Sequence, residues 1–244
     1  MKSKNIMQQI KFKPKVKSLI SIVTFGVVIL WAILANAGCK KTESPYYKYQ
    51  NNTTNFNGSI YEFLQAQNGV FDSLLKVIDS VPGLKDSLST ETGLTFFAAP
   101  NNCFANALQN LNLNLAAYNL PPKYLSDIDT TPDMDTLVSR YLFNGLYPTD
   151  SLIKYGDAGV IVPSFRYAYG MNLAYQRNTA TGFQNGGPQF INFTDLHNSL
   201  SASFWVTVPT ISVNIKANNG IIHILTDTHS FGFNDFINRF SQVH

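Results

Sequence analysis

Residues 93–107, GLTFFAAPNNCFANA, constrain this chain more than any other stretch. Leu94 to Ala98 form a short apolar run with two aromatics, which predicts a buried strand. Pro100 ends it, because proline brings no N–H to a ladder. Asn101 or Asn102 is then expected to cap a helix that starts near Cys103. A buried strand that turns at once into a helix requires layers on either side of it. The chain must therefore build a core of helices against a sheet.

The first 38 residues read as a leader outside that core. Six lysines and no acidic residue stand before Leu19, an apolar run follows to Ala35, and Asn36-Ala37-Gly38 lead into Cys39. A basic head, an apolar centre and small residues at the end make a secretory signal. The run also approaches the length of a membrane span, so an uncleaved anchor is the alternative. Ala37-Gly38-Cys39 resembles the box at the end of a bacterial lipoprotein signal, with Asn36 where an aliphatic residue is commoner. That resemblance implies lipidation of Cys39 and attachment to a membrane through acyl chains, each buried methylene contributing about 0.8 kcal/mol. The expected organisation is a signal over 1–38, a flexible tether over 39–57 and one domain over 58–244.

The leader also distorts the charge balance. The whole sequence carries 18 basic and 15 acidic residues. With the six lysines of the leader set aside, the remainder is slightly acidic. No basic patch supports nucleic-acid binding. If Cys39 carries lipid, Cys103 is the one thiol left and has no internal disulfide partner. Its place on the first turn of a helix behind a buried strand favours a small buried hydrophobe over a nucleophile.

Along the domain, helical spacing comes first. Ile60, Phe63 and Leu64 share one face, and Phe71, Leu74, Leu75 and Ile78 share another. After the 94–98 strand a helix runs to about Leu111, and residues 113–133 read as a loop, an insertion near 112–133. Thr136 or Asp135 is expected to open the next helix and Gly145 to stop it. Asp150-Ser151-Leu152 reads as an edge strand or turn. From Ala158 β-branched and aromatic residues take over, with strands expected at 159–162, 190–193, 204–208, 211–215 and 221–225. Phe165, Tyr167 and Tyr169 alternate as if on a strand, as do Leu173 and Tyr175. Asn218-Asn219-Gly220 supplies a tight turn, and 234–240 a short last helix. Helices followed by strands is an α+β order.

Four places resemble the fasciclin (FAS1) domain family: 61–78 its paired opening helices, 94–107 its first signature, 137–147 (LVSRYLFNGLY) its middle helix, and 215–225 (IKANNGIIHIL) its second signature. The resemblance covers roughly 59–228. It implies an α+β, FAS1-like fold, with N-terminal helices packed against a mostly antiparallel sheet or sandwich wedge and an enlarged β-rich insertion near 154–200. The aromatic–histidine pair of the family falls here on Arg140-Tyr141, so its histidine is missing. The family implies a non-catalytic binding module without cofactor, tethered at a membrane and engaged in adhesion or in glycan or protein capture. With the lipid signal it looks like a Bacteroidetes-type outer-membrane lipoprotein, and the alternative is an accessory subunit of an outer-membrane nutrient-uptake complex. Lys40-Lys41-Thr42-Glu43 lacks the acidic stretch of surface-exported lipoproteins, which leaves the periplasmic and the surface face both open.

Few residues point to chemistry. There is no Gly-x-Ser-x-Gly elbow, phosphate-cradling glycine loop or His-Glu-x-x-His pair. Asp127, Asp129, Asp133 and Asp135 crowd one loop but lack the glycine and final glutamate of a calcium loop. His223, Asp227 and His229 lie at a loose spacing that admits a cation and more simply reads as structural. No metal site is expected. The aromatic segment of Phe165, Tyr167, Tyr169, Tyr175 and Phe183 offers faces for sugars or peptides unless it fills the core. The binding residues expected from it are Tyr169, Tyr175, Phe183 and Asn185.

Overall fold

Strand β1 (Leu94–Ala98) is buried along its whole length, as its apolar run predicts. A strand without an exposed face must be covered on both sides, and the rest of the domain does that. The computed structural model describes residues 55–178 and 187–241. Three helices precede β1: α1 (Ile60–Ala66), α2 (Asp72–Ser80) and α3 (Leu84–Thr90). Ser59 opens α1 through a reciprocal cap with Glu62. Leu84 and Leu88, one turn apart and both buried, make a helix of a segment expected only to lead into β1.

After β1 the chain enters α4 (Asn101–Ala117), whose N-cap is Pro100 rather than an asparagine. Asn101 caps elsewhere: its side-chain oxygen accepts the Ser73 N–H at 2.8 Å, at the start of α2, which has no side-chain cap of its own. The helix also runs past Leu111, because Leu111 and Leu115 continue its buried face and no glycine or proline intervenes before Pro121. Residues 113–133 are therefore not one loop. They hold the end of α4, a helical turn α5 (Leu125–Ile128) and the start of α6 (Pro132–Val138). Thr131 caps α6, with Pro132 in its first turn, a start earlier than the expected Asp135 or Thr136. A 3-10 turn, Ser139–Tyr141, then leads into strand β2 (Leu142–Asn144). Gly145, at φ +102°, thus ends a strand and not a helix.

The turn α7 (Thr149–Leu152) stands where an edge strand or turn is expected. Strands β3 (Val160–Pro163), β4 (Gly170–Arg177), β5 (Gln189–Asp195), β6 (Val206–Ala217) and β7 (Gly220–Leu225) follow, and α8 (Asp235–Phe240) closes the domain. Two expected strands, 204–208 and 211–215, merge into one long β6 that begins only at Val206, with Phe204 and Trp205 in and after a 3-10 turn before it. Phe165, Tyr167 and Tyr169 do not share a strand: Pro163 ends β3, and Tyr167 and Ala168 take positive φ in a tight turn.

The sheet order is β2-β1-β7-β6-β5-β4-β3, antiparallel throughout except for the β1–β7 pair. The β-rich stretch near 154–200 therefore supplies three strands of the one sheet. Two contacts show that the sheet curls back on itself. The ring of Phe97 on β1 stacks on Phe193 of β5 at 4.3 Å although two strands separate them in the order. The Phe165 N–H, between β3 and β4, donates to the Leu142 carbonyl of the opposite edge strand at 2.7 Å. The fold is α+β, with helices over one face of a mixed sheet and an aromatic core inside its curl.

Candidate functional site

Arg140 is the centre of the polar interior. It is 1% exposed, and it sits in the turn between α6 and β2. One guanidinium nitrogen donates to Asp195 at 2.8 Å, and the other to Asp235 at 2.6 Å. The guanidinium lies over the Tyr169 ring at 4.0 Å. The Tyr169 hydroxyl and the His197 N–H donate to the second oxygen of Asp195 at 2.6 and 2.8 Å. Burial works against the Arg140 charge, and the two carboxylates outweigh it, holding the group above its ordinary pKa. Burial, with the bond to Asp195, raises the Tyr169 phenol far out of reach of neutral pH.

Asp195, His197 and Asp235 bring one ligand atom each within 4.8 Å of one another, the one group among the described residues with a geometry for a metal. Both carboxylates already face the Arg140 guanidinium, which supplies one positive charge to the pair and occupies an oxygen of each. The imidazole Nδ1 of His197 lies 3.6 Å from Asp235, and its Nε2 is buried without a partner.

Above this network the β5–β6 loop and the start of α8 line an open cleft of about 380 Å³. Phe204 and Trp205 form its apolar wall, 64% and 37% exposed. The Trp205 indole N–H donates to the Ser199 carbonyl at 2.8 Å, which fixes the ring. Asn234 and Asn238, four residues apart and exposed, line the helix side. Asp235 belongs to both the cleft and the ion-pair network, so Arg140 holds the floor of the cleft in place.

The residues expected from sequence lie elsewhere. Tyr169 is partly buried, and its ring and hydroxyl are taken up by Arg140 and Asp195. Tyr175 is partly buried on β4 opposite Ile191, packed against the core. Cys39, Phe183 and Asn185 lie outside the described residues. The acidic loop disperses: Asp127 accepts the Tyr124 N–H, Asp129 pairs with Lys76, Asp133 with Arg239, and Asp135 with Arg166.

Both histidines of the 221–229 stretch are buried and structural. His223 donates from Nε2 to the Tyr147 carbonyl at 3.1 Å and accepts the Asn214 N–H on Nδ1 at 3.3 Å. Asn214, at φ 61°, sits where the β6–β7 register slips, and the imidazole takes the amide that the irregular ladder leaves over. His229 Nε2 shares a 2.8 Å hydrogen bond with the Tyr141 hydroxyl, which also accepts the Gly232 N–H. No histidine adjoins Tyr141 in sequence, yet an imidazole reaches it from 88 residues away. Burial lowers the two imidazoles to about 4 and about 3. The Cys103 thiol, closed in the core against the Thr226 carbonyl, is pushed far up by burial.

No family model matches the sequence, and no curated protein matches it. Solved structures are similar in fold. One of them is a FAS1 domain pair from the insect cell adhesion molecule fasciclin I, at 16% identity and a TM-score of 0.42, covering 69% of this chain. The chain spans about half, 49%, of the length of that structure's chain. The α+β assignment rests on the elements and sheet described above. Sequence reasoning passed over residues 197–203, whose serines form no period, and placed Phe204-Trp205 in a strand over 204–208, whereas Phe204 ends a 3-10 turn and the strand begins at Val206. The one available signal was Phe204-Trp205 directly after a serine-rich turn.

Proposed function

We propose that this chain is a non-catalytic binding module, held at the cell envelope by acyl chains on Cys39, that makes its contacts through the cleft between the β5–β6 loop and α8. The observation that carries the reading is the contrast between interior and cleft. His223, His229, Cys103, Tyr141 and Tyr169 are all held in their neutral forms and hydrogen-bonded or packed within the fold. The cleft instead presents exposed aromatic rings and carboxamides, which suit recognition and not proton transfer. The resemblance of the sequence to FAS1 domains supports the same class of function. Among the described residues no helix is long and apolar enough to cross a membrane; attachment in this reading rests on the leader and Cys39.

Tagged full-length protein, drawn from its own cells in mild detergent after palmitate labelling, tests the reading. Label on the wild type and its loss in Cys39→Ser, with release from the membrane fraction, are expected. An unlabelled wild type that stays membrane-bound makes the leader an uncleaved anchor. Mass spectrometry of what copurifies decides the second reading. Leu200 and Phe204, both in the β5–β6 loop, are exposed, and a stoichiometric outer-membrane protein would make this loop a subunit interface of a larger complex.

A further inference from the structure

We infer that the cleft is a site for a neutral saccharide stacked on Trp205; the inference rests on the binding-module reading above. The chemistry of the lining selects the ligand. Phe204 and Trp205 offer flat apolar faces, and the bond from the indole N–H to the Ser199 carbonyl holds the Trp205 ring before anything binds. An aromatic already fixed in position loses little entropy when a flat apolar face settles on it. Around the rings stand the hydroxyl of Ser203 and the carboxamides of Asn234 and Asn238, which both donate and accept. Among the described residues those two carboxamides make no side-chain hydrogen bond within the protein, so they are free for a partner. Hydroxyl-rich rings with one apolar face match that combination.

The charge of the lining excludes the acidic alternative. No lysine or arginine lines the cleft, and its one carboxylate, Asp235, shares the single Arg140 charge with Asp195, so the floor of the cleft is negative and not positive. A uronate, sulfate or phosphate would meet that carboxylate, and the one basic group of the lining, the His197 imidazole, already faces Asp235. The site also lies well away from Asn55, the first described residue. The chain enters the described domain at Asn55, bridged to Lys216 near the end of β6, whereas the cleft sits at Val206, where that strand begins. At about 3.3 Å per residue the two points are roughly 30 Å apart along the strand. The cleft thus lies at the end of β6 remote from the point where the described chain begins.

The sequence holds two tryptophans, Trp31 in the leader and Trp205 in the cleft. In full-length Trp31→Phe protein in detergent, tryptophan emission therefore reports on the cleft alone. Titration with neutral hexasaccharides of glucose, mannose and N-acetylglucosamine is expected to change that emission saturably for at least one of them. Calorimetry with the same sugar should show affinity lowered at least tenfold by Trp205→Ala and by Asn238→Ala, both exposed positions whose circular dichroism stays native. Unchanged affinity in both variants, or binding of uronic-acid oligomers alone, overturns the saccharide site. A protein partner lost from pull-downs of Trp205→Ala overturns the saccharide while keeping the binding module. Neither sugar nor partner would overturn both.

Discussion

Arg140 shows how much one side chain can fix. It joins the turn before β2, the end of β5 and the start of α8 through two carboxylates, with Tyr169 beneath it. Removing one member of a buried ion network leaves the others charged without a partner, at a cost of about 3–5 kcal/mol. Arg140→Met should therefore lower the urea midpoint sharply with little change in slope, and a loss under 1 kcal/mol would show that the network contributes little. The two core histidines make the second prediction at this scale. Their pKa values in the fold, about 4 and about 3, lie below the ordinary 6.5. The unfolded chain thus binds more protons below pH 6.5. Stability is complete above that pH and falls as the pH drops toward 4 and 3, each histidine contributing a slope of up to about 1.4 kcal/mol per pH unit. Urea melts at pH 7 and pH 5 should show the decline, and equal midpoints would contradict it.

At the scale of elements, a single asparagine holds three of them together. Asn219, in the β6–β7 turn and buried, accepts the Ile60 N–H that opens α1 and donates to the Leu88 and Glu91 carbonyls at the end of α3. Asn219→Ala leaves those groups without partners and should cost roughly 3 kcal/mol, with α1 losing hydrogen-exchange protection first. Protection equal to wild type over residues 60–66 would show that the turn is not what seats the helix. The neighbouring glycine works by absence. A Cβ on Gly220 would lie 2.3 Å from the Leu94 carbonyl, so the parallel β1–β7 pair closes only because that side chain is missing.

Over the whole molecule, the curled sheet makes its inner face a core. Phe97 stacks on Phe193, meets Phe143 edge-on and lies 5.0 Å from the His223 ring. These contacts join β1, β2, β5 and β7, strands far apart in sequence. Phe97→Ala should cost about 3–5 kcal/mol and loosen both halves of the sheet together. Two separate unfolding transitions in the variant would instead mean that the halves are independent. The cleft sits outside this core, on a loop and a short helix that the Arg140 network ties to it. Arg140→Met is thus expected to disturb the cleft as well as the stability.

Local pattern was enough for much of this. The buried run at 94–98, the face of Ile60, Phe63 and Leu64, the turn at Asn218-Asn219-Gly220 and the α+β order are all legible, because period and turn chemistry act over a few residues. What only the folded chain decides is partnership across distance. Asn101 caps another helix and not its own, and His229 meets Tyr141. The aspartates of 127–135 part toward four different cations and amides, and Phe165–Tyr169 turn where alternation predicts a strand. The cleft belongs to the same class: it exists because β6 begins beside α8, elements that no local period connects. Desolvation and ion pairing depend on what is packed nearby in space, and a linear pattern carries no record of that.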